Sequence, residues 1–561
     1  MCGIWVGIFD KTIDVSFIVY NVSKLLHHRG PDNFNYKILS YENKTIIMIH
    51  TRLHIIGNSL PQPIINFDKD LFLVINGEIF NWKELSTELD YKCIQSDCEI
   101  ILALYEKYVR YDSDFNTFFN KINGQYSFVL YDQKYNKLFV SRDHIGITPL
   151  YVGFSNNYDQ FIFSSELKAL TFLNTISNVN HFVPRHYLYQ NLDFNYNLLL
   201  VKPYIDYYNT NISSETNLIY IQNNIKNLLI NSVNLQLNDI INLNIEFGIL
   251  LSGGLDSSLI ASIICNEFKK RNLSMPKTFS IGINKMSADL IASRTVAKFL
   301  NTEHYEFLFT PEEGIESIEK TIYYLETYDT TTIRAGTAMY LLTSKIKKLF
   351  PNIKVLFSGE LSDELFCYVY GSNAPNYSDF QKETEQLVSN VYLFDCLRSN
   401  KSCMANSIEV RVPFTDPHFV KYVLSINPKF KSFGKLNNNC IEKQLLRNAF
   451  NLQYLPYEIL YRKKEAFSDG VSVFNGNNEI NWINILKDYC NKKYSNMSFL
   501  IEIKKFKHNT PNNKEELLYR NIFHKLFNVS SEHTVKFWKP NWCGENVDPS
   551  ARIHIKNVFH N

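Results

Sequence analysis

The feature that most constrains the fold is a glycine-rich turn between an apolar strand and a helix. Residues 247–251 (FGILL) are continuously apolar, and residues 252–258 (SGGLDSS) follow them. The next stretch, 257–271, has helical spacing and ends in three basic residues; its apolar face carries Leu259, Ile260, Ile263, Ile264 and Phe268. Strands that alternate with helices in this way predict a parallel, doubly wound α/β sheet from about residue 219 to residue 525.

The same turn has the chemistry of an anion site. Its two glycines allow a close backbone turn, and the helix that follows supplies unpaired N–H groups and a positive dipole. The turn lacks the lysine of the G-x-x-x-x-G-K-[ST] loop and carries Asp256 instead. A carboxylate cannot bind phosphate directly, so Asp256 implies a bridging Mg²⁺. An ordinary glycine turn is the alternative, and the strand, helix and acid in register argue against it.

A second strand also ends in acidic residues. Residues 354–357 lead into 358–364 (SGELSDE), which places Glu360, Asp363 and Glu364 within five positions. Acids also favour helix N-termini, which is the simpler explanation. The edge of a parallel sheet at its carboxyl ends is where ligands bind, so we favour a functional role.

The first 205 residues read as short strands bounded by Asn, Asp and Gly. The segments 46–50, 71–75, 126–131, 138–141 and 161–164 are apolar, β-branched or aromatic. Ser96 and Glu99 have the spacing of a capping box, which predicts a helix over 100–108. The polar, Asn-rich stretch 190–218 is the candidate linker between two domains.

Cys2 is a candidate nucleophile. If Met1 is removed, the chain begins with a cysteine whose own α-amine has a reference pKa of roughly 7.7–8.0. One residue then supplies both a nucleophile and a base, and no separate histidine is required. A cysteine at position 2 can also be chance, so the neighbouring segments decide.

Those segments contain what an N-terminal thiol needs to open an amide. The Asn76 side-chain amide and the Gly77 backbone N–H can stabilise a tetrahedral oxyanion. Arg52 can bind an α-carboxylate with two hydrogen bonds, and Asp97 and Glu78 can hold an α-ammonium. Asn-Gly is also a common hairpin turn, and Asp97 also suits a first helical turn.

Composition excludes several other classes of protein. Lys and Arg total 58 against 56 Asp and Glu, a net charge of +2, which predicts no nucleic-acid partner. No apolar stretch approaches the roughly 18 residues of a membrane span, so no membrane partner is expected. The N-terminus lacks the features of a signal peptide, and the ten cysteines have no metal-ligand spacing. We therefore expect a cytoplasmic protein with reduced thiols.

The first part of the chain resembles the class II glutamine amidotransferase domain. The shared segments are Cys2-Gly3-Ile4, Arg29-Gly30-Pro31-Asp32 and Asn76-Gly77-Glu78-Ile79, with further matches to about residue 170. The resemblance implies an αββα sandwich of the N-terminal-nucleophile hydrolase type, in which Cys2 forms a glutamyl thioester and ammonia is released. It implies that Cys2, Asn76 and Gly77 are catalytic, and that glutamine contacts Arg52, Leu53, His54, Ile55, Ile56, Asn76, Gly77, Glu78 and Asp97.

With the second part included, the chain is similar to two-domain, glutamine-hydrolysing asparagine synthetases. Residues 327–334, 395–398, 409–414 and 462–470, and the tail at Asp548-Pro549-Ser550, also match. The resemblance implies that Asp256 and Asp363 hold Mg²⁺, that Glu360 serves the adenylated intermediate and the incoming ammonia, and that Lys464 faces phosphate. It implies that ATP contacts Leu250, Ser252, Gly253, Gly254, Asp256, Ser257, Ser258, Ile281, Ser358, Gly359 and Lys464.

The implied reaction joins two half-reactions. Aspartate, glutamine, ATP and water give asparagine, glutamate, AMP and pyrophosphate through β-aspartyl-AMP and transferred ammonia. We expect a glutaminase domain at 1–205, a synthetase domain at 206–525 and a tail at 526–561. The substrates are small molecules, ATP and Mg²⁺ are required, and a homodimer is compatible with the sequence.

One loop departs from the family pattern. Family members read Gly-Glu-Gly-Ser-Asp-Glu and then Phe-Gly-Gly-Tyr, whereas this chain has Leu361 at the middle glycine and Cys367-Tyr368 after Phe366. If that glycine needs a positive φ, Leu361 is strained or redirects the loop. Two alternatives therefore stay open: a related amidotransferase or β-lactam-forming synthetase that uses another carboxylate, or a nucleotide-binding protein that has lost ligase activity.

Overall fold

The computed structural model describes residues 1–543 except 11–12, 58–60, 94–95, 193–200, 209, 439, 474–479 and 528. The chain forms two compact units. The first unit is Met1–Asp206 with Met404–Ser407 and Phe527–Thr534, and the second is Tyr207–Cys403 with Ile408–Leu526 and Val535–Asn561. Asp548-Pro549-Ser550 of the predicted tail lies outside the described residues.

The first unit contains two six-stranded antiparallel sheets. Their orders are β10-β8-β9-β1-β3-β2 and β12-β11-β7-β6-β5-β4. The strands are β1 Gly3–Phe9, β2 Asn33–Tyr41, β3 Lys44–Arg52, β4 Ile64–Ile65, β5 Leu71–Ile79, β6 Gly124–Asp132, β7 Lys137–Arg142, β8 Tyr151–Ser155, β9 Gln160–Ser164, β10 Ile176–His181, β11 His186–Asn191 and β12 Val201–Pro203.

Alternation along β5 explains why the two sheets stack. Phe72 and Val74 join a core that also contains Ile4, Val6 and Met48 of the other sheet. The intervening Leu71, Leu73 and Ile75 point the other way, into a core shared with helical residues. A strand that is apolar on both faces must be covered on both faces, which makes β5 an inner layer.

Helices cover the outer faces of the sheets. On one side, Leu102 and Phe118 pack in the core beneath β5. On the other, the Trp5 indole N–H of β1 donates to the Ala169 carbonyl oxygen at 2.7 Å. The first unit is therefore the predicted αββα sandwich, with helices α1 Val15–Leu26, α2 Trp82–Glu88, α3 Ile100–Leu104, α4 Phe115–Lys121 and α5 Lys168–Thr171.

The second unit is built on one parallel sheet of five strands. The order is β15-β14-β13-β16-β17, and every neighbouring pair is parallel. The order reverses direction at β13, so the loops after β13 and β16 leave the same edge on either side of a switch point, where doubly wound sheets bind ligands. The strands are β13 Phe247–Leu250, β14 Lys277–Gly282, β15 Glu303–Leu308, β16 Val355–Phe357 and β17 Glu409–Arg411.

Long helices alternate with these strands along the chain, and most of the helices after β17 are shorter. They are α6 Leu218–Asn242, α7 Leu255–Lys270, α8 Ala288–Leu300, α9 Pro311–Glu316, α10 Ile318–Leu325, α11 Thr330–Leu349, α12 Ser362–Leu365, α13 Tyr377–Asn390, α14 Asp395–Met404, α15 Pro417–Ser425, α16 Pro428–Lys431, α17 Gln444–Ala449, α18 Tyr457–Leu460, α19 Phe467–Gly470, α20 Trp482–Lys493, α21 Asn496–Glu502 and α22 Lys514–Leu526. Across the part of the chain that the structure describes, none of the helices has the length and apolarity that a membrane span requires.

Two local predictions need correction. The predicted helix over 100–108 is α only at Ile100–Leu104, between a 3₁₀ turn at Asp97–Glu99 and a π-helical turn at Tyr105–Val109. The Ser96 hydroxyl accepts from the Cys98 N–H at 3.2 Å. The predicted capping box needs the Glu99 N–H at this hydroxyl, and it does not form because the tighter 3₁₀ turn brings the Cys98 N–H there instead. Helix α7 begins at Leu255, two residues before the predicted start.

Candidate functional site

In the first unit, the candidate nucleophile is held by its backbone. Cys2 precedes β1 and is 7% exposed. Its N–H donates to Asn76 Oδ1 at 2.8 Å, and its Sγ lies 3.9 Å from the Leu53 carbonyl oxygen. Burial raises the pKa of the Cys2 thiol, and Arg52 and the chain's amino terminus oppose that rise. The resting group is therefore a thiol that needs a base to become nucleophilic.

Asn76 and Gly77 lie in β5 beside this cysteine. Asn76 is fully buried, and its Nδ2 has no hydrogen-bond partner among the described residues. A buried donor without a partner is costly, so it is well suited to a charge that appears only during reaction. Gly77 has φ +154°, and a Cβ there would lie 2.0 Å from the Gln125 carbonyl oxygen, so only glycine fits.

The predicted glutamine-binding residues come from the end of β3 and the segment after it, from β5, and from the 3₁₀ turn at Asp97–Glu99. Arg52 ends β3, and its Nη2 donates to the Ile56 carbonyl oxygen at 3.2 Å, which folds residues 52–56 back on themselves. Arg52, Leu53, Ile55 and Ile56 are buried and His54 is partly buried. Arg52 lowers and Glu78 raises the pKa of the Cys2 thiol, which places both near the sulfur. Asp97 Oδ2 accepts from the Ile79 N–H at 2.7 Å.

The sequence predicts that the segment Arg29-Gly30-Pro31-Asp32 shapes a loop, and it predicts no separate role for Arg29. This arginine is fully buried, and its Nε donates to the Cys2 carbonyl oxygen at 2.9 Å. Its Nη1 contacts Glu166 Oε1 at 2.6 Å, so the guanidinium itself is held in place. Asp32 does shape a loop, because its Oδ2 accepts from the His54 N–H at 2.8 Å.

In the second unit, the glycine-rich turn joins β13 to α7. Gly253 has φ +74°, and a Cβ there would lie 2.4 Å from the Ser293 nitrogen. The Ser252 and Ser257 hydroxyls are 3.1 Å apart, and the Gly254 N–H donates to Ser252 Oγ at 3.3 Å. Gly254 is the N-cap of α7, and no side chain caps the helix. The first N–H groups of this 16-residue helix therefore face the turn as an anion site.

One cavity collects most of the residues predicted for ATP. It also receives residues from later segments, among them Arg398, Lys443 and Trp538. Gly253 and Ser258 do not line it: Gly253 packs against the α8 backbone, and the Ser258 side chain is fully buried. The predicted residues that do line it are Leu250, Ser252, Gly254, Asp256, Ser257, Ile281, Ser358, Gly359, Glu360, Asp363 and Lys464.

Two lysines join the two carboxylates predicted to hold metal. Lys443 Nζ lies 2.6 Å from Asp256 Oδ2 and 2.7 Å from Asp363 Oδ1, and Lys464 Nζ lies 2.5 Å from Asp363 Oδ2. Burial alone would raise the pKa of Asp363, but the two lysines hold it well below its usual range. Lys443 was not predicted, because nothing in its sequence surroundings marks an isolated lysine as part of a site.

These carboxylates suit Mg²⁺ together with a nucleotide. Asp256 Oδ1 is buried without a hydrogen-bond partner among the described residues. Nowhere in the described ranges do three or more His, Cys, Asp or Glu side chains form a metal-binding group. Mg²⁺ commonly takes one or two carboxylates and completes its shell with water and substrate phosphates. Asp256 and Asp363 therefore fit Mg²⁺ bound with ATP better than a metal bound by protein alone.

Glu360 lies in a second charged group that lines the same cavity. Its Oε1 is 3.0 Å from Arg398 Nη2, and Arg398 also pairs with Asp395. Burial raises the pKa of Glu360, and Arg398 opposes the rise. A carboxylate that lines a cavity and whose pKa is shifted upward by burial is a feature often found in functional sites.

The loop that departs from the family pattern keeps a glycine-like backbone. Leu361, Cys367 and Tyr368 have φ of +74°, +66° and +38°. Such angles cost a side-chain-bearing residue roughly 1–2 kcal/mol each. Of the two expectations for Leu361, strain or a redirected loop, the backbone agrees with strain, because Leu361 has a positive φ.

Family models match both units. The glutamine amidotransferase domain matches residues 1–198, and asparagine synthase matches 224–374 and 369–551. The chain is 37% identical to glutamine-hydrolysing asparagine synthetase 2 of Oryza sativa subsp. japonica, over 99% of this chain and 93% of that protein. It is 38% identical to a probable glutamine-hydrolysing asparagine synthetase of Schizosaccharomyces pombe, over 100% of this chain and 99% of that protein.

Substitution of Asn76 tests its two contacts separately. Asn76→Asp keeps an oxygen for the Cys2 nitrogen but removes the Nδ2 donor, and Asn76→Ala removes both. We expect each to lower the rate of glutamine hydrolysis by about 10²–10³-fold, measured as glutamate release, because an oxyanion donor is lost. Asn120→Asp, an exposed position in the same unit, is the control. Undiminished hydrolysis by Asn76→Asp would show that Nδ2 is not the donor.

Proposed function

The chain belongs to the family of glutamine-hydrolysing asparagine synthetases, and from this premise we propose how its residues divide the reaction. Its function is ATP-dependent synthesis of asparagine with glutamine as the nitrogen donor. We assign glutamine hydrolysis to residues 1–205 and asparagine formation to residues 206–525, with 526–561 as a tail. The observation that carries the proposal is Asn76, whose oxygen holds the Cys2 nitrogen and whose Nδ2 is left for a substrate oxyanion.

Glutamine hydrolysis begins when Met1 is removed and the Cys2 nitrogen becomes an α-amine. That amine takes the thiol proton, and Sγ attacks the side-chain amide carbon of glutamine. Asn76 Nδ2 and the Gly77 N–H stabilise the oxyanion, and the amine returns the proton to the leaving ammonia. Water then cleaves the thioester to glutamate. Arg52 binds the α-carboxylate of glutamine, while Asp97 and Glu78 bind its α-ammonium.

Asparagine formation activates a carboxylate, which is otherwise a poor electrophile. The β-carboxylate of aspartate attacks the α-phosphorus of ATP, and pyrophosphate leaves toward the Ser252–Ser258 turn and Lys464. Mg²⁺, held by Asp256 and Asp363, would neutralise phosphate charge when bound. Neutral ammonia displaces AMP from the acyl carbon, and Glu360 accepts the proton that the new amide must lose. The cluster of Glu360, Asp363 and Lys464 in one cavity supports this assignment.

Three wider properties follow as proposals. None of the ten cysteines, all of which lie among the described residues, forms a disulfide, which supports a reducing cytoplasmic location. The near-zero net charge supports the absence of a nucleic-acid partner. We also propose a homodimer, in keeping with the family resemblance, and light scattering on the purified chain decides its mass in solution.

Cys2→Ala separates the two half-reactions. The variant cannot form a thioester, so it should lose glutamine-driven asparagine synthesis and keep synthesis from ammonium salts. That rescue should grow as pH rises toward the ammonium pKa, because only neutral ammonia attacks. Glu360→Ala should do the reverse, with glutaminase intact and no asparagine from either donor. Amino-acid analysis of the products measures both. Loss of ammonium-driven synthesis in folded Cys2→Ala would contradict the division of labour.

Asp256→Asn tests the proposed metal and nucleotide site. It removes one carboxylate charge of the Asp256–Asp363 pair, so pyrophosphate release should fall by orders of magnitude while glutamine hydrolysis largely persists. Asp488→Asn, at an exposed position in the second unit, is the matched control and should keep full activity. Unchanged pyrophosphate release by Asp256→Asn at every Mg²⁺ concentration would refute the assignment of Asp256.

A further inference from the structure

An aromatic pair lines the synthetase cavity and has no role in the chemistry above. Tyr368 and Trp538 both line it, with ring centroids 5.3 Å apart and ring planes at 88°. Tyr370 lies behind them, 5.6 Å from Tyr368 and 6.1 Å from Trp538. Edge-to-face aromatic groups of this kind form stable apolar surfaces.

Tyr368 lies where the Asp363–Lys464 pair adjoins Asp395, the carboxylate that pairs with Arg398. The Tyr368 N–H donates to the Asp363 carbonyl oxygen at 2.7 Å, on the short helix that follows Glu360. The charges that affect the Tyr368 phenol are those of Lys464, Asp363 and Asp395. Burial raises the pKa of this phenol well above its usual value, so it stays neutral.

Contacts outside the cavity hold both aromatic residues in place. Tyr368 has φ +38° and follows Cys367, at φ +66°, whose side chain is buried in a cluster with Phe380 and Phe433. The Trp538 N–H donates to Asp329 Oδ1 at 2.8 Å. Asp329 Oδ2 accepts from the Thr332 N–H at 2.9 Å and so caps α11, whose first turns line the same cavity.

We propose that Tyr368 and Trp538 form a rigid wall that limits the length of the acceptor, admitting a four-carbon amino dicarboxylate and excluding its five-carbon homologue. The inference rests on the proposed function, because it assumes that aspartate binds beside Glu360 and Arg398. A wall discriminates by size only if it cannot move, and the buried packing of Cys367 and the Asp329 contact both oppose movement. One methylene group is commonly worth 10–200-fold in specificity.

The positive φ of Tyr368 makes glycine the most informative substitution at this position. Tyr368→Gly removes the ring while relieving a positive φ, so the loop keeps a backbone that glycine adopts easily. Leu361→Gly relieves strain in the same loop without touching the wall, because Leu361 does not line the cavity. Tyr368→Phe keeps the ring, and Trp538→Ala opens the wall from the other side.

Pyrophosphate release is measured for the full chain with ammonium, ATP and either aspartate or glutamate. We expect Tyr368→Gly and Trp538→Ala to raise the KM for aspartate and to lower the aspartate-to-glutamate ratio of kcat/KM at least tenfold. The KM for ATP should stay within about twofold of the unsubstituted value. Tyr368→Phe and Leu361→Gly should keep the original ratio.

Two results would overturn the proposal. One is an unchanged ratio in Tyr368→Gly and Trp538→Ala with a normal KM for ATP. The other is an equal fall of kcat for both acceptors, which a general structural role would give. Should either variant fail to fold by circular dichroism, the remaining one decides the ratio, with Tyr368→Leu as a third. If the unsubstituted chain releases no pyrophosphate with aspartate, the proposed function fails instead.

Discussion

The second unit depends on a balance of buried charge in which two lysines hold two aspartates. Lys443 bridges Asp256 and Asp363, and Lys464 contacts Asp363. The carboxylates lie in the first turns of α7 and α12, which follow the neighbouring strands β13 and β16, and the lysines come from segments much later in the chain. Removing one partner from such a buried group leaves an uncompensated charge, which is strongly destabilising. The contacts therefore fix four segments of the chain at the edge of one sheet.

Arg462 extends this arrangement. Its Nη2 lies 3.0 Å from Asp289 Oδ1 and 3.3 Å from Glu465 Oε2, and its Nη1 donates to the Ser252 carbonyl oxygen at 3.4 Å. One guanidinium thus joins the glycine-rich turn, the first turn of α8 and the segment that carries Lys464. Burial raises the pKa of Asp289 to about 6, and the positive charge of Arg462 opposes that rise. The position of Lys464 depends on a contact outside the catalytic residues themselves.

Sequence patterns predicted those parts of the site whose structure is determined by residues adjacent in the chain. The apolar runs of β5 and β13 and the glycine-rich turn after β13 could be found because each is specified by adjacent residues. Arg29, Lys443 and Trp538 could not, since their roles depend on contacts made by distant segments. The limits of the units were hidden for the same reason: Met404–Ser407 and Phe527–Thr534 belong to the first unit although they lie far along the chain. The positive φ of Leu361 could be suspected only from a family pattern.

Trp538 has a consequence for when the protein becomes competent during its synthesis. Chains emerge from the ribosome with the N-terminus first, and domains fold as their residues appear. The bond from the Thr332 N–H to Asp329 Oδ2, which caps α11, can form early. The bond from the Trp538 N–H to Asp329 Oδ1 can form only after Trp538 has been synthesised. The parallel sheet and the glycine-rich turn can therefore be complete before Trp538 reaches the cavity that it lines. A chain truncated before Trp538 can therefore fold its glycine-rich turn while the cavity lacks the contact between Tyr368 and Trp538.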